Sequence, residues 1–126
     1  MSPLRTKPTN AELEILRVLW ARGPSTVRDV AKALEREDAY TTVLKLLQNM
    51  TEKRLVVRDE SERTHVYAPA RREQQTKRLL VADLVDRVFD GSAAALVMQV
   101  LAGANTSKEE IDEIRKLLDQ KRGGRR

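Results

Sequence analysis

Thr41, Thr42, Lys45, Gln48, Asn49 and Glu52 recur at spacings that put them on one side of a helix running from Asp38 to Leu55 when residues are set at about 100° per step. Val43, Leu46, Leu47 and Met50 fall on the other side and follow the i, i+3, i+4, i+7 rule for a buried stripe. The polar side offers hydroxyl, amide and ammonium groups and little carboxylate. Threonine hydroxyls can bond base edges or phosphates, a threonine or leucine methyl can meet a thymine methyl, Lys45 favours guanine or phosphate, and Gln48 can pair with adenine. Taken alone, the same helix also reads as an amphipathic surface helix with a solvated polar face.

Catalytic chemistry finds no carrier. The chain has one histidine and no cysteine, and it lacks G-x-S-x-G, P-loop and H-E-x-x-H patterns, so the usual nucleophile, phosphate and zinc constellations are missing. The pair Glu109-Glu110 opens a helix, where the helix dipole accounts for it. The reading is of a non-enzyme with no cofactor and no metal.

The elements around the polar helix decide between its two readings. Leu55 to Arg58 is apolar and β-branched, Asp59 to Arg63 is a charged turn, and Thr64 to Tyr67 is a second short strand ended by Pro69. Upstream, Thr9 and Glu12 have capping-box spacing and open a first helix with Leu13, Leu16, Val18, Leu19 and Trp20 on its buried side. Gly23-Pro24 stops it. Ser25 or Thr26 caps a second helix carrying Val27, Val30, Ala31 and Leu34, and amides near Thr26 offer a place for a phosphate. Two helices, a polar helix and a hairpin make a winged helix-turn-helix, in which the polar helix enters the major groove and the hairpin rides on the backbone. Trp20 is expected to pack beneath the helices and to need a partner for its indole N–H.

A chain of 126 residues allows one domain, or a small domain with an appendage. At 3% aromatic residues the core must come from Leu, Val, Ile and Ala. No apolar run is long enough to span a bilayer, the start MSPLRTKPT does not resemble a signal peptide, and cysteine is absent, which together point to a cytoplasmic protein without membrane contact. Of the net charge of +5, Lys121, Arg122, Arg125 and Arg126 supply four, leaving +1 for the body. Nucleic-acid binding must therefore rest on where the charge sits.

The motifs E-L-x-I-L-x-x-L-W from Glu12 to Trp20, T-V-x-D-V from Thr26 to Val30 and Y-T-T-V from Tyr40 to Val43 carry a family resemblance. Leu47, Met50, Lys53, Leu55, Arg63 and the Y-x-P of Tyr67 to Pro69 continue it. Over nearly its whole length the chain resembles the BlaI/MecI family of bacterial transcriptional repressors. The resemblance implies a winged-helix DNA-binding domain and a small helical dimerisation domain, with homodimers on inverted-repeat operators of double-stranded DNA. It places Thr41, Thr42 and Lys45 on the groove-facing helix and Arg63 in the wing. The candidate DNA contacts are Thr26, Tyr40, Thr41, Thr42, Leu44, Lys45, Gln48, Asn49 and Arg63. Arg58 and His65 lie on or beside the hairpin, where a phosphate contact is favoured over base reading, although His65 reads first as a half-exposed strand residue with no contact to make.

Three departures stand out. Arg54 occupies a place where the family pattern has Gly before the strand, and such a Gly often serves a positive φ. Asn49 stands where a basic residue is common. The family's best-known members are cut by a sensor-activated protease pathway at an Asn-Phe pair, and here those positions are Gln99 and Val100, so either a sensor-linked protease for induction has another specificity or release does not use proteolysis. The copper-responsive branch binds metal through cysteines that this chain lacks.

The fold class expected is mainly α with a small β-hairpin: a winged helix-turn-helix domain over residues 1–70, a three-helix dimerisation domain over 71–122 and a disordered basic tail over 123–126. In the second half, Leu80, Val81, Leu84, Val85 and Val88 stripe a helix from about Arg72 to Phe89. The segment AAALVMQVLA from Ala93 to Ala102 is apolar nearly all round, which predicts burial on every side. Ser107 to Glu110 forms another capping box ahead of Ile111, Ile114, Leu117 and Leu118. Three short helices cannot cover this much apolar surface, so a partner chain is expected over Leu80, Leu84, Val88, Leu96, Val97, Val100, Leu101, Ile111, Ile114 and Leu118. The rival readings are a winged-helix module that binds proteins, which acidic residues on the polar helix would favour, and a regulator with its own small-molecule pocket.

Overall fold

The capping signals read from the sequence are made in full. In the computed structural model, which describes residues 7–103 and 105–124, the Thr9 hydroxyl accepts the Glu12 amide at 3.2 Å and the Glu12 carboxylate accepts the Thr9 amide at 2.9 Å. Helix α1 (Asn10–Arg22) follows, and Gly23 ends it with φ of 89°, a conformation that glycine takes without steric cost. Thr26, and not Ser25, caps α2 (Val27–Ala33), with Asp29 completing a second capping box. Residues 1–6 of the opening MSPLRTKPT, and Arg125 and Arg126 of the tail, lie outside the described residues.

The polar helix is shorter than expected at both ends. A 3₁₀ turn over Glu37–Ala39 precedes α3 (Tyr40–Glu52), because Ala39 in the capping position has no side chain to hold the first amides. At the other end Lys53 is the C-cap, Arg54 turns to φ of 65°, and the Arg54 and Leu55 amides donate to Thr51 and Met50 carbonyls at 3.1 and 2.8 Å. These two bonds are a Schellman motif, closed by the buried pair Met50 and Leu55. The glycine geometry is thus kept with arginine in it. Left-handed backbone costs a non-glycine residue about 1 to 2 kcal/mol, partly offset by glycine's larger chain entropy, so Arg54→Gly should raise stability by about 1 kcal/mol. Guanidinium unfolding midpoints would check this, and a less stable variant would show that the arginine side chain holds more than the strain takes away.

Strands β1 (Val56–Asp59) and β2 (Val66–Pro69) pair antiparallel, Val56 opposite Pro69 and Asp59 opposite Val66. The second strand begins later than the expected Thr64, so Thr64 and His65 belong to the loop. Its register is held by buried Tyr67, which exchanges 2.9 and 2.7 Å backbone bonds with buried Ser25 on its far side. Ser25 is therefore a structural bridge. The core gathers Ile15, Leu16 and Leu19 of α1, Val27, Val30 and Ala31 of α2, and Val43, Leu47 and Met50 of α3 over Val56 and Tyr67. Ile15, absent from the expected stripe, is fully buried, while Leu13, Val18 and Trp20 pack only at the edge. The α1 stripe is rotated because Glu12 points inward, as described below.

The chain divides into two compact units, one ending at Asp83 and one beginning at Leu84, so the first runs past the boundary expected at Ala70. Two ties explain the extension. The Trp20 indole N–H donates to the Arg71 carbonyl at 3.0 Å, and Lys7 Nζ lies 3.1 Å from the carboxylate of buried Asp83. The first holds the chain just before α4 (Glu73–Val88), and the second holds α4 at Asp83, where the division falls.

The second unit holds the end of α4, then α5 (Ala93–Ala102) and α6 (Lys108–Gly124). Ser92 caps α5 at 3.0 Å, and Ser107 and Glu110 form the predicted box for α6. Helix α6 runs on through Gly123 and Gly124, beyond the expected end at Arg122, with Lys121 and Arg122 set favourably against the dipole in its last turn. Burial of α5 on every side is not found in the single chain: Met98 is 69% and Val100 53% exposed. Of α5 only Ala95 and Leu96 are half-buried, so most of an all-apolar helix stays open in the single chain.

Candidate nucleic-acid interface

Three elements converge on one surface of the first unit. The stripe of Val43, Leu47 and Met50 drives α3 into the core, and the 100° helical step then leaves Thr41, Thr42, Lys45, Gln48 and Asn49 in solvent. Thr41, Lys45, Gln48 and Asn49 line a shallow groove together with Leu44 and, from β1, Arg58. A second groove runs from the start of α2 to the hairpin loop and is lined by Thr26, Arg28, Tyr40, Leu44, Arg63 and His65. Leu44 belongs to both, so the two grooves form one continuous face.

The DNA-contact candidates named from sequence line these grooves except Thr42, which is exposed on α3 but lines neither, and they are not all equally open. Tyr40 is 43% exposed, Leu44 and Thr26 are half-buried, and Arg63 is exposed in the loop. Arg28 escaped the sequence reading. Its signal was available, a cation in the first turn of α2 off the Val27, Val30 and Ala31 stripe, where the dipole gives it no reason to sit. The expected phosphate place at the start of α2 is narrower than supposed, because the Thr26 and Asp29 amides donate to the partner side chains of the capping box at 3.1 Å. The Thr26 amide also holds the Asp29 carboxyl below its ordinary range.

The wing is braced by its own charges. Arg58 meets Glu60 at 2.7 Å, and hydrogen bonding to Tyr67 and then to Glu60 favours its charged form still further. The Ser61 amide donates to Asp59 at 2.9 Å and lowers that carboxyl's pKa. These carboxylates are thus engaged locally. Among the described residues Glu52 is the only carboxylate lining the α3 groove, and none lines the groove of Arg28 and Arg63.

The orientation of α3 depends on a pair that spans the unit. Lys53 Nζ at the end of α3 reaches the Glu12 carboxylate at the start of α1, 2.8 and 3.0 Å from its two oxygens. Glu12 is 2% exposed, so the carboxylate read as a helix cap is also a buried anchor. Among the described residues no buried side-chain polar atom is left without a partner.

A trihelical core, a two-stranded hairpin and an outward polar third helix define a winged helix-turn-helix, the fold expected from sequence. Comparison with known proteins gives the particular group. The family model described as Penicillinase repressor matches residues 8–120. The transcriptional regulator BlaI of Mycobacterium tuberculosis is 32% identical over 123 residues, covering 94% of this chain and 88% of that protein. The penicillinase repressor of Bacillus licheniformis is 24% identical over 89% of each chain. The methicillin resistance regulatory protein MecI of Staphylococcus aureus is 19% identical over 90% of this chain and 94% of its own. The chain belongs to the penicillinase repressor family and is a transcriptional repressor.

Proposed function

We propose that this repressor binds operator DNA as a homodimer, each protomer laying α3 in a major groove with its hairpin on the adjoining backbone. The observation that carries the reading is the outward face of α3: hydroxyls, amides and Lys45 project from a helix whose other side is locked in the core. Base recognition needs such pre-positioned donors and acceptors, whereas a protein-docking surface would favour apolar anchors. Thr41, Thr42, Lys45, Gln48 and Asn49 are the base-facing set, and Thr26, Tyr40 and Arg63 hold phosphates. Dimerisation belongs to the apolar faces of the second unit and spaces two α3 helices for inverted half-sites. The protein acts in the cytoplasm and carries no catalytic step. With Gln99 and Val100 in place of the family's Asn-Phe pair, release uses either a sensor-linked protease of altered specificity or no proteolysis at all.

Lys45→Ala and Thr42→Ala should each lower discrimination between a selected operator and random DNA, at about 1 to 3 kcal/mol for a good base contact. Binding isotherms on both duplexes decide it. Unchanged preference in both variants would remove α3 from the recognition role.

A further inference from the structure

The groove between the start of α2, the start of α3 and the hairpin loop has a composition of its own. Arg28 enters from α2, Tyr40 from α3, and Arg63 and His65 from the loop, with the Thr26 hydroxyl and Tyr67 at the base. Two permanent cations, two phenols and the only histidine of the chain line it, and among the described residues no carboxylate does. The nearby acids are engaged elsewhere: Asp29 in the α2 capping box, Asp59 with the Ser61 amide, and Glu60 with Arg58. Thr26 Oγ1 accepts the Asp29 amide but keeps its own O–H to donate. Donors and cations without a counter-charge, open to solvent, make a seat for an anion.

We infer that this groove holds one backbone phosphate of the bound duplex, with Arg28, Tyr40 and His65 as its ligands, and that His65 binds it in the protonated form. The inference rests on the DNA-binding reading of the same face and extends it to a site that reads no bases. A histidine ordinarily titrates within about pH 5 to 8, and an imidazolium beside a phosphate donates a charge-assisted hydrogen bond that neutral imidazole lacks. Phosphate binding therefore favours the protonated form, and affinity must rise as pH falls. No carboxylate in the groove competes for the new charge. Because the chain has a single histidine, a pH effect in this range can be assigned to one side chain by substitution.

The test uses the full chain and a fluorescent random-sequence duplex in chloride salt, titrated at about pH 5.5 and about pH 7.5. Each phosphate neutralised steepens the salt dependence by about 0.9 and, near 0.1 M salt, strengthens binding by about fivefold to tenfold. Wild type should show that gain in affinity and slope per protomer on acidification. His65→Gln should lose the acid gain in both affinity and slope, whatever its affinity at the higher pH, while Arg28→Gln should keep the acid gain but have a shallower salt slope than wild type at both. A wild-type affinity and slope that do not change with pH, or an acid gain that survives in His65→Gln, overturns the site. If wild type binds no duplex under any condition, the DNA-binding reading itself falls, and the site with it.

Discussion

Lys53→Met should lower the stability of this protein by about 3 kcal/mol, the low end of the cost of removing one partner from a buried ion pair. The low end applies because the Lys53 side chain is still a quarter exposed, whereas its partner carboxylate is almost wholly covered. The variant keeps the aliphatic stem of Lys53 in place but leaves Glu12 with only the Thr9 amide against its charge. Replacing Glu12 with Leu in the same chain removes the stranded charge, and the double variant should recover most of the loss. Guanidinium unfolding of the two single variants and the double variant measures the coupling. A cost below about 1 kcal/mol for Lys53→Met would mean the pair behaves as a surface ion pair. The consequence for function is positional. Lys53 caps α3, so this bond fixes the end of the DNA-facing helix against the start of α1, and its loss should loosen DNA discrimination even where the chain remains folded.

Much of this arrangement was legible from local chemistry. The capping boxes at Thr9 and Ser107, the stop at Gly23 and the Val43, Leu47 and Met50 stripe act over three or four residues, so the residues that make each signal also decide the structure. What was missed depends on partners far along the chain. Glu12 reads as a cap until Lys53, 41 positions away, arrives beside it, and the charge it brings inward rotates the α1 stripe to favour Ile15. Ser25 reads as a helix cap until Tyr67 claims its backbone, which also shifts β2 and leaves His65 in the loop. Arg28 shows in the sequence only as a cation out of place in a helix's first turn, and its position in the groove with Arg63 and Tyr40 is what gives it a role. Arg54 is the opposite case. Its residue type argued against a glycine-like turn, yet the two Schellman bonds and the burial of Leu55 outweigh the strain of one left-handed residue.

The second large effect is expected from a charge placed on α5. Val100 is 53% exposed in the single chain, and Val88, Val97, Leu101, Ile111 and Leu118 are exposed as well, with Leu96 and Ile114 half-buried. A glutamate at position 100 would therefore meet water in an isolated protomer, so Val100→Glu should leave the fold of one chain nearly intact. If α5 is instead covered by a second copy, the same carboxylate is driven into an apolar interface without a cation to meet it, and association fails. Sedimentation at micromolar concentration should then find a dimer for wild type and a monomer for Val100→Glu, with unchanged helix content by circular dichroism. Joining two DNA-binding modules raises affinity by about 10² to 10⁴ without new contacts, and the variant should forfeit that factor on an operator with two half-sites. On a single half-site its affinity should match wild type, since the α3 face lies in the other compact unit. Equal losses on one and two half-sites would show damage to the DNA-binding unit, and a Val100→Glu protein that remains dimeric would remove this face of α5 from the interface.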